Sequence, residues 1–355
     1  MQIHPFLETL VEYRELVWRS IESYLDTKMP GVSSLQNPEL EEFHRNLMWE
    51  YPKRKGKYFR PSLLLLMAEG MGMEREKAIM SACAMQISED WILIHDDVED
   101  NSLERRGKTA LQRMYSPALA VNAGDALHVV MWKMLRDNFD VVGTEKALQI
   151  MDEFSRMLSR TVLGQTVEIA QVERKNYSMT EEDVNFILDG KTGYYTVAGP
   201  LRLGAILACD DNKKLGDILP KIDEFGTYLG RAFQIIDDIL DLTTDFEGLK
   251  KQMGNDIYES KRTVILIHLL ENCSQETKTK VLEILNKSRE EKTEEEVSWV
   301  TEKMQESKSL DFAYSRVVEY CKIAREKLEE MDFIYDRDCK QKLRDCIDFV
   351  ATRKH

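Results

Sequence analysis

The chain of 355 residues reads as an all-α protein. Three observations predict this. Leu, Ile, Met and Ala recur at helical spacing, for example from Ile206-Leu207 to Leu229, Thr263 to Leu270 and Phe312 to Met331. Alternating β-branched runs bounded by hairpin signals are nearly absent. The 8 Pro and 17 Gly make no linker; the prolines gather early (Pro5, Pro30, Pro38, Pro52, Pro61) or mark breaks at Pro117, Pro200 and Pro220. The expectation is roughly ten or more helices of ordinary length, packed as one domain over 1–355.

Taken along the chain, the first informative segment is Gly56-Lys57-Tyr58-Phe59-Arg60-Pro61. Gly gives backbone freedom, and Pro suits the first turn of a helix whose apolar body is Leu63 to Met67. Lys57 and Arg60 then lie at a helix N-terminus, where free N–H groups already favour an anion. The neighbouring Lys53, Arg54 and Lys55 read as a solvated basic loop. Next comes Asp96-Asp97-Val98-Glu99-Asp100, directly on the apolar lead-in Trp91-Ile92-Leu93-Ile94-His95. On a helix Asp96 and Asp100 share a face one turn apart. Arg105-Arg106-Gly107 follows, about one and a half turns on if the helix continues. Adjacent guanidiniums suit bidentate binding of a diphosphate.

Later segments repeat the theme. Gly164-Gln165 with Glu168, and Asp189-Gly190-Lys191-Thr192-Gly193, set polar groups on apolar helices. A lysine and a hydroxyl together can neutralise a leaving group and present an oxygen to a developing cation. About 140 residues after the first acidic cluster stands a second, Asp237-Asp238-Ile239-Leu240-Asp241, led by Phe233-Gln234-Ile235-Ile236. Lys251 and Lys261 follow within reach of Asp237 and Asp241. Two such faces turned together make a cage of hard oxygen ligands suited to Mg2+ and a phosphorylated substrate.

Composition sets the odds. With 63 acidic residues in 355, the acid-acid-x-x-acid pattern arises by chance about twice; Glu290-Glu291-Lys292-Thr293-Glu294, with no apolar lead-in, is such a solvated accident. Strict aspartate and the apolar lead-in separate the two Asp clusters from it. A net charge of −14 excludes nucleic acid as partner, because phosphate backbones need a basic footprint. No apolar stretch spans a bilayer and no secretory signal opens the chain. The six cysteines include no C-x-x-C and read as reduced thiols of a cytoplasmic protein rather than a zinc site.

In this order the motifs resemble the trans-isoprenyl diphosphate synthases, the polyprenyl synthetase family. They are Gly56-Lys57-x-x-Arg60-Pro61, Asp96-Asp97-x-x-Asp100 with Arg105-Arg106-Gly107, Gly124-Asp125, Gly164-Gln165-x-x-Glu168, Lys191-Thr192, Phe233-Gln234-x-x-Asp237-Asp238-x-x-Asp241, and Lys251-x-x-Gly254-x-Asp256 with Lys261-x-Thr263. They cover roughly residues 50 to 265, leaving the helices of 266–355 without a readable motif beyond the basic Arg353-Lys354. The resemblance implies the isoprenoid synthase fold, a helical bundle around a central apolar cavity. It implies that Asp96, Asp97, Asp100, Asp237 and Asp241 bind Mg2+, about three ions per site with an allylic diphosphate bound. Arg105, Lys191 and Lys251 would contact that diphosphate, with Lys261 nearby. Lys57, Arg60 and Arg106 would hold isopentenyl diphosphate, and Thr192 and Gln234 would stabilise the allylic carbocation.

Three departures stand against the family pattern. Tyr58 replaces an Arg, with Lys55 the candidate substitute; Glu89 replaces a His or Gln; Ser260 replaces a Gly. A carboxylate cannot donate to a diphosphate unless protonated. His95 beside Asp96 reads as packing. Chain length in the family is stopped near the fifth residue before the first Asp, here Trp91, flanked by Ile92 and, one turn deeper, Ser88. A single bulky aromatic there resembles the archaeal geranylgeranyl type more than the animal farnesyl type. The expectation is therefore a homodimeric prenyltransferase joining isopentenyl diphosphate to dimethylallyl, geranyl or farnesyl diphosphate, with geranylgeranyl diphosphate as product and farnesyl diphosphate as the alternative. Residues 120 to 135 (Val121, Ala126, Val129, Val130, Met131) offer the dimer interface. A class I terpene cyclase would carry one diphosphate and a different second metal motif, and a non-catalytic prenyltransferase subunit would lack the Asp clusters.

Overall fold

The computed structural model describes residues 4–28, 37–243 and 253–353. Its helices include α1 (Pro5–Lys28), α2 (Pro38–Lys53), α3 (Phe59–Gly70), α4 (Arg75–Glu99), α5 (Pro117–Asp137), α6 (Thr144–Glu173), α7 (Gly199–Ala208), α8 (Asn212–Thr243), α9 (Val264–Asn272), α10 (Ser309–Glu329) and α11 (Arg337–Thr352). A π-helix spans Leu188–Ala198. The one strand pair among the described residues is a two-residue hairpin, β1 (Glu104–Arg105) against β2 (Lys108–Thr109). The fold is all-α, as the periodicity predicts.

Three expectations change in detail. The segment from Ile206 to Leu229 is two helices, because α7 ends at Ala208 and α8 starts at Asn212. Pro220 lies inside α8 rather than at a break. The basic loop at 53–55 is not simply solvated. Arg54 is buried and its guanidinium donates to the carbonyls of Arg105 at 3.1 Å and Thr109 at 2.8 Å, tying the end of α2 to the hairpin.

Contacts gather the chain into two compact units, each assembled from three segments. The first comprises Met1–Ser155, Pro200–Leu219 and Asp332–Leu343; the second comprises Arg156–Gly199, Pro220–Met331 and Arg344–His355.

The core of the first unit is α3. Every side chain from Leu63 to Ala68 is fully buried, the mark of a helix apolar on all sides. It packs on α4, which in turn makes its most extensive contact with α5. Gly204 lets α7 close on α3, since a Cβ there would fall 2.4 Å from the Leu64 carbonyl oxygen. In the second unit Val264, Ile265, Leu266 and Leu269 of α9 are buried, and α9 packs on α10. Thr263 caps α9 by accepting from the Leu266 N–H at 3.2 Å. Among the described residues no helix is long and apolar enough to cross a membrane.

Candidate active site

The expected site residues fall into two groups, one in each unit, and Lys251 lies outside the described residues. In the first unit α4 ends at Glu99 with Asp100 as its C-cap, whose N–H donates to the Asp96 carbonyl at 2.8 Å. Asp96 and Asp100 therefore sit one turn apart, as their spacing predicts. The helix does not continue to the arginines. Asn101 takes a left-handed φ of 52°, ending the helix, and Arg105 and Arg106 instead lie on the hairpin. Arg106 at φ 54° and Gly107 at φ 72° are its two central turn residues, the positive-φ pair a tight hairpin requires. Arg106 has no glycine's freedom there, so the turn carries strain of roughly 1 kcal/mol or more.

That turn aims the two guanidiniums differently. Arg105 bridges Asp96 at 3.2 Å and Asp97, which also accepts a 2.5 Å hydrogen bond from the Tyr51 hydroxyl. Asp97 is fully buried, so it sits as the internal partner of Arg105 and Tyr51 rather than as the open metal ligand the motif suggests. Its two carboxylate neighbours keep Arg105 firmly charged against the cost of burial. Four carboxylates, Asp96, Asp97, Glu99 and Asp100, stand at the C-terminus of α4 with no basic residue in its last turn, and they oppose the helix dipole. An all-oxygen, all-carboxylate donor set at such an end fits a hard divalent cation, although among the described residues no three such side chains already converge on a point.

Arg106 points the other way. It donates to Asp90 at 2.8 Å, to the Tyr51 carbonyl at 3.2 Å and to Glu89 at 3.3 Å. Arg60, in the first turn of α3, reaches the other oxygen of Glu89 at 3.3 Å. Gly56 makes room, because a Cβ there would stand 2.9 Å from the Arg106 guanidinium. Lys57 is exposed, while Tyr58, at the position of a family Arg, turns inward in a left-handed N-cap and is buried. Lys55 does not stand in for that Arg; its ammonium lies 3.9 Å from Glu15 and over the Trp18 ring. Asp90 is the residue sequence reasoning missed, although a second acid directly before the apolar lead-in was its signal. Burial lifts its carboxyl to about 6 against the lowering pull of Arg106.

Trp91 is not alone. Its ring lies 4.9 Å from His128 and 5.5 Å from His95, and the Trp132 indole donates to His128 Nε2 at 2.8 Å. Gly124 allows this approach, since a Cβ there would fall 2.4 Å from His95 Nε2. Ile92 is half-buried, and Ser88 is buried with its hydroxyl donating to the Met85 carbonyl at 2.7 Å. Asp96, Ile92 and Ser88 thus descend one face of α4 at one-turn steps.

The second group is built on the π-helix, a conformation that concentrates at functional sites. Backbone contact holds it in place. A Cβ on Gly164 would meet the Lys191 backbone nitrogen at 2.4 Å, and one on Gly230 would meet Gly193 Cα at 2.3 Å. Arg231 adds a bidentate pair to Asp189 at 2.7 and 2.6 Å. Lys191 pairs with Glu168 at 2.5 Å. The Thr192 hydroxyl donates to Gln234 Oε1 at 3.0 Å, and the Gln234 amide donates to Asp238 at 2.8 Å. Burial, with Asp237 beside it, raises Asp238 to about 7.

Asp241 accepts from the Asp256 N–H at 3.0 Å and from the Asn255 amide at 3.3 Å. Lys261 reaches Glu259 at 2.8 Å and Asp256 at 3.8 Å, and its charge pulls the Asp238 carboxyl down against the effect of burial. Asp237 pairs with Arg353, from the basic tail that carried no motif. This second cluster again stands near the C-terminus of its helix with no basic residue in the last turn.

The chain matches known proteins over most of its length. The family model for polyprenyl synthetase matches residues 41–304. The geranylgeranyl diphosphate synthase of Sulfolobus acidocaldarius is 32% identical over 278 residues, 78% of this chain and 81% of that protein. The crystal structure of geranylgeranyl pyrophosphate synthetase from Pyrococcus horikoshii Ot3 superposes with a TM-score of 0.81 at 25% identity, covering 98% of each chain. A geranylgeranyl pyrophosphate synthase from Corynebacterium glutamicum, complexed with isoprenyl diphosphate and magnesium, shares the fold with a TM-score of 0.85 at 22% identity, covering 99% of this chain and 100% of that one. With the isoprenoid synthase fold, the ordered motifs and this match in place, the chain belongs to the polyprenyl synthetase family and is a prenyltransferase.

Proposed function

We propose that this prenyltransferase joins isopentenyl diphosphate to an allylic diphosphate head to tail, with geranylgeranyl diphosphate as the product. One observation carries the reading. Arg60 and Arg106, from positions far apart in the chain, meet on one acceptor, Glu89, while Arg105 serves Asp96 and Asp97. Two separately aimed cation sets suit two diphosphates, and a cyclase would need one.

Asp96, Asp100, Asp237 and Asp241 are the carboxylates that would hold divalent metal, Mg2+ by the chemistry of the donor set. Bound there, it neutralises charge growing on the departing diphosphate. Asp97 acts by fixing Arg105. Arg105, Lys191, Lys251 and Lys261 hold the allylic diphosphate, and Lys57, Arg60 and Arg106 hold isopentenyl diphosphate. As the allylic C–O bond breaks, the oxygens of Thr192 and Gln234 offer lone pairs to the carbocation. The double bond of isopentenyl diphosphate attacks, a C–C bond forms, and the proton lost passes to the released diphosphate. No side-chain acid or base is needed.

The relative from Sulfolobus acidocaldarius supports the geranylgeranyl product. The Trp91–His128–Trp132 stack favours a second reading, farnesyl diphosphate, because a braced aromatic stops a chain early. A homodimer through α5 is supported by Val121 and Val129, which are exposed; Val130 and Met131 belong instead to the core. Incubation with Mg2+, isopentenyl diphosphate and each allylic primer, followed by sizing of the products, tests all of this chemistry. A twenty-carbon product is expected, a fifteen-carbon product selects the second reading, and the absence of elongation removes both.

A further inference from the structure

Resting on that function, we propose that Glu89 is a specificity-determining residue: a resident anion that occupies Arg60 and Arg106 and must be displaced when the isopentenyl diphosphate headgroup binds. It sets the affinity for this second diphosphate and leaves the ionisation of the first untouched.

The geometry separates two carboxylates that sequence places side by side. Asp90 is buried to 1% exposure and holds Arg106 at 2.8 Å. Glu89 meets Arg106 and Arg60 at 3.3 Å each, with side chains of 11%, 12% and 18% exposure respectively. Asp90 is thus the tight internal anchor. Glu89 is the looser, more accessible partner, and each of its two oxygens faces one guanidinium in the manner of a bound anion.

Charge adds the second argument. Glu89 and Asp90 set two negative charges against the positive charges of Arg60 and Arg106. A diphosphate monoester carries about three negative charges near neutral pH, so Glu89 competes for the same donors and repels the incoming headgroup. Its removal leaves Arg106 fixed by Asp90 and the Tyr51 carbonyl, so that donor keeps its place.

Glu89→Gln keeps the shape and removes the charge; Glu89→Asp keeps the charge. Both are compared with wild type by steady-state kinetics in each substrate and by calorimetric titration of isopentenyl diphosphate in EDTA. In Glu89→Gln the KM and Kd for isopentenyl diphosphate should fall about tenfold, with kcat and the allylic KM within about twofold. Glu89→Asp should match wild type. An unchanged or raised KM for isopentenyl diphosphate in Glu89→Gln, or an equal fall in Glu89→Asp, overturns the inference while leaving the prenyl-transfer reading intact. A wild type that neither binds nor elongates isopentenyl diphosphate overturns that reading itself.

Discussion

At the scale of single residues, the clearest division is between carboxylates engaged inside the core and those left half-buried at a helix end. Asp97 is buried with its oxygens on Arg105 and Tyr51, whereas Asp96 is half-buried in the last turn of α4, 3.2 Å from Arg105 and set against the helix dipole. Replacing Asp96 or Asp237 with Ala should cut turnover about a hundredfold or more while far-ultraviolet circular dichroism stays the same; wild-type turnover in either variant would sink its assignment to the metal. Trp91→Ala should lengthen the products, read by chromatography, because it removes one wall of the His128 stack.

Asp90 carries a pH signature. Its folded pKa of about 6 lies above the ordinary 3.8, so the folded state binds the proton more tightly than the unfolded chain does. Relative to Asp90→Asn, wild type therefore loses stability as pH rises from about 4 to about 6, by on the order of 2–3 kcal/mol, and the difference is flat outside that window. Urea titrations of both proteins across pH 4 to 7 check it; a constant difference would refute the buried, raised carboxyl.

At the scale of elements, the π-helix at Leu188–Ala198 depends on having no side chain at two contacts. Gly193 and Gly230 touch backbone to backbone, and Gly164 lies against Lys191. Helical propensity alone would build an α-helix here; the close approach and the Asp189–Arg231 pair hold the wider form that lines Thr192 up with Gln234. Gly230→Ala should destabilise the fold by about 1–3 kcal/mol through overpacking, seen as a lower denaturation midpoint. It should also cost activity beyond that loss of folded protein, because Thr192 is displaced. The hairpin at 104–109 works likewise. It swings Arg105 and Arg106 to opposite partners, which a continued α4 could not do.

At the scale of the molecule, surface and core divide α5. Val121 and Val129 are 40% and 56% exposed and two turns apart on one face, while Leu127, Val130 and Met131 are buried. For the homodimer proposed above, Val129→Asp should shift dimer to monomer in analytical ultracentrifugation, and a dimer retained with wild-type affinity would move the interface elsewhere. With 63 acidic side chains the surface repels anions in general, so binding a diphosphate depends on the few cations clustered at the site.

Sequence by itself determined the fold class, the two aspartate clusters and most of their companion cations, because helical periodicity and the identity of charged residues are local facts written in order along the chain. Trp91 and Glu89 were legible as unusual residues in known places. Only the tertiary structure decided what they touch. Glu89 meets an arginine from α3 and another from the hairpin; Trp91 meets His128 from α5; Asp97 meets Tyr51 from α2; Asp237 meets Arg353 from the far end of the chain. Such pairings join residues 17 to 116 positions apart, and they arise from packing, left-handed turns and glycine contacts that no local pattern encodes.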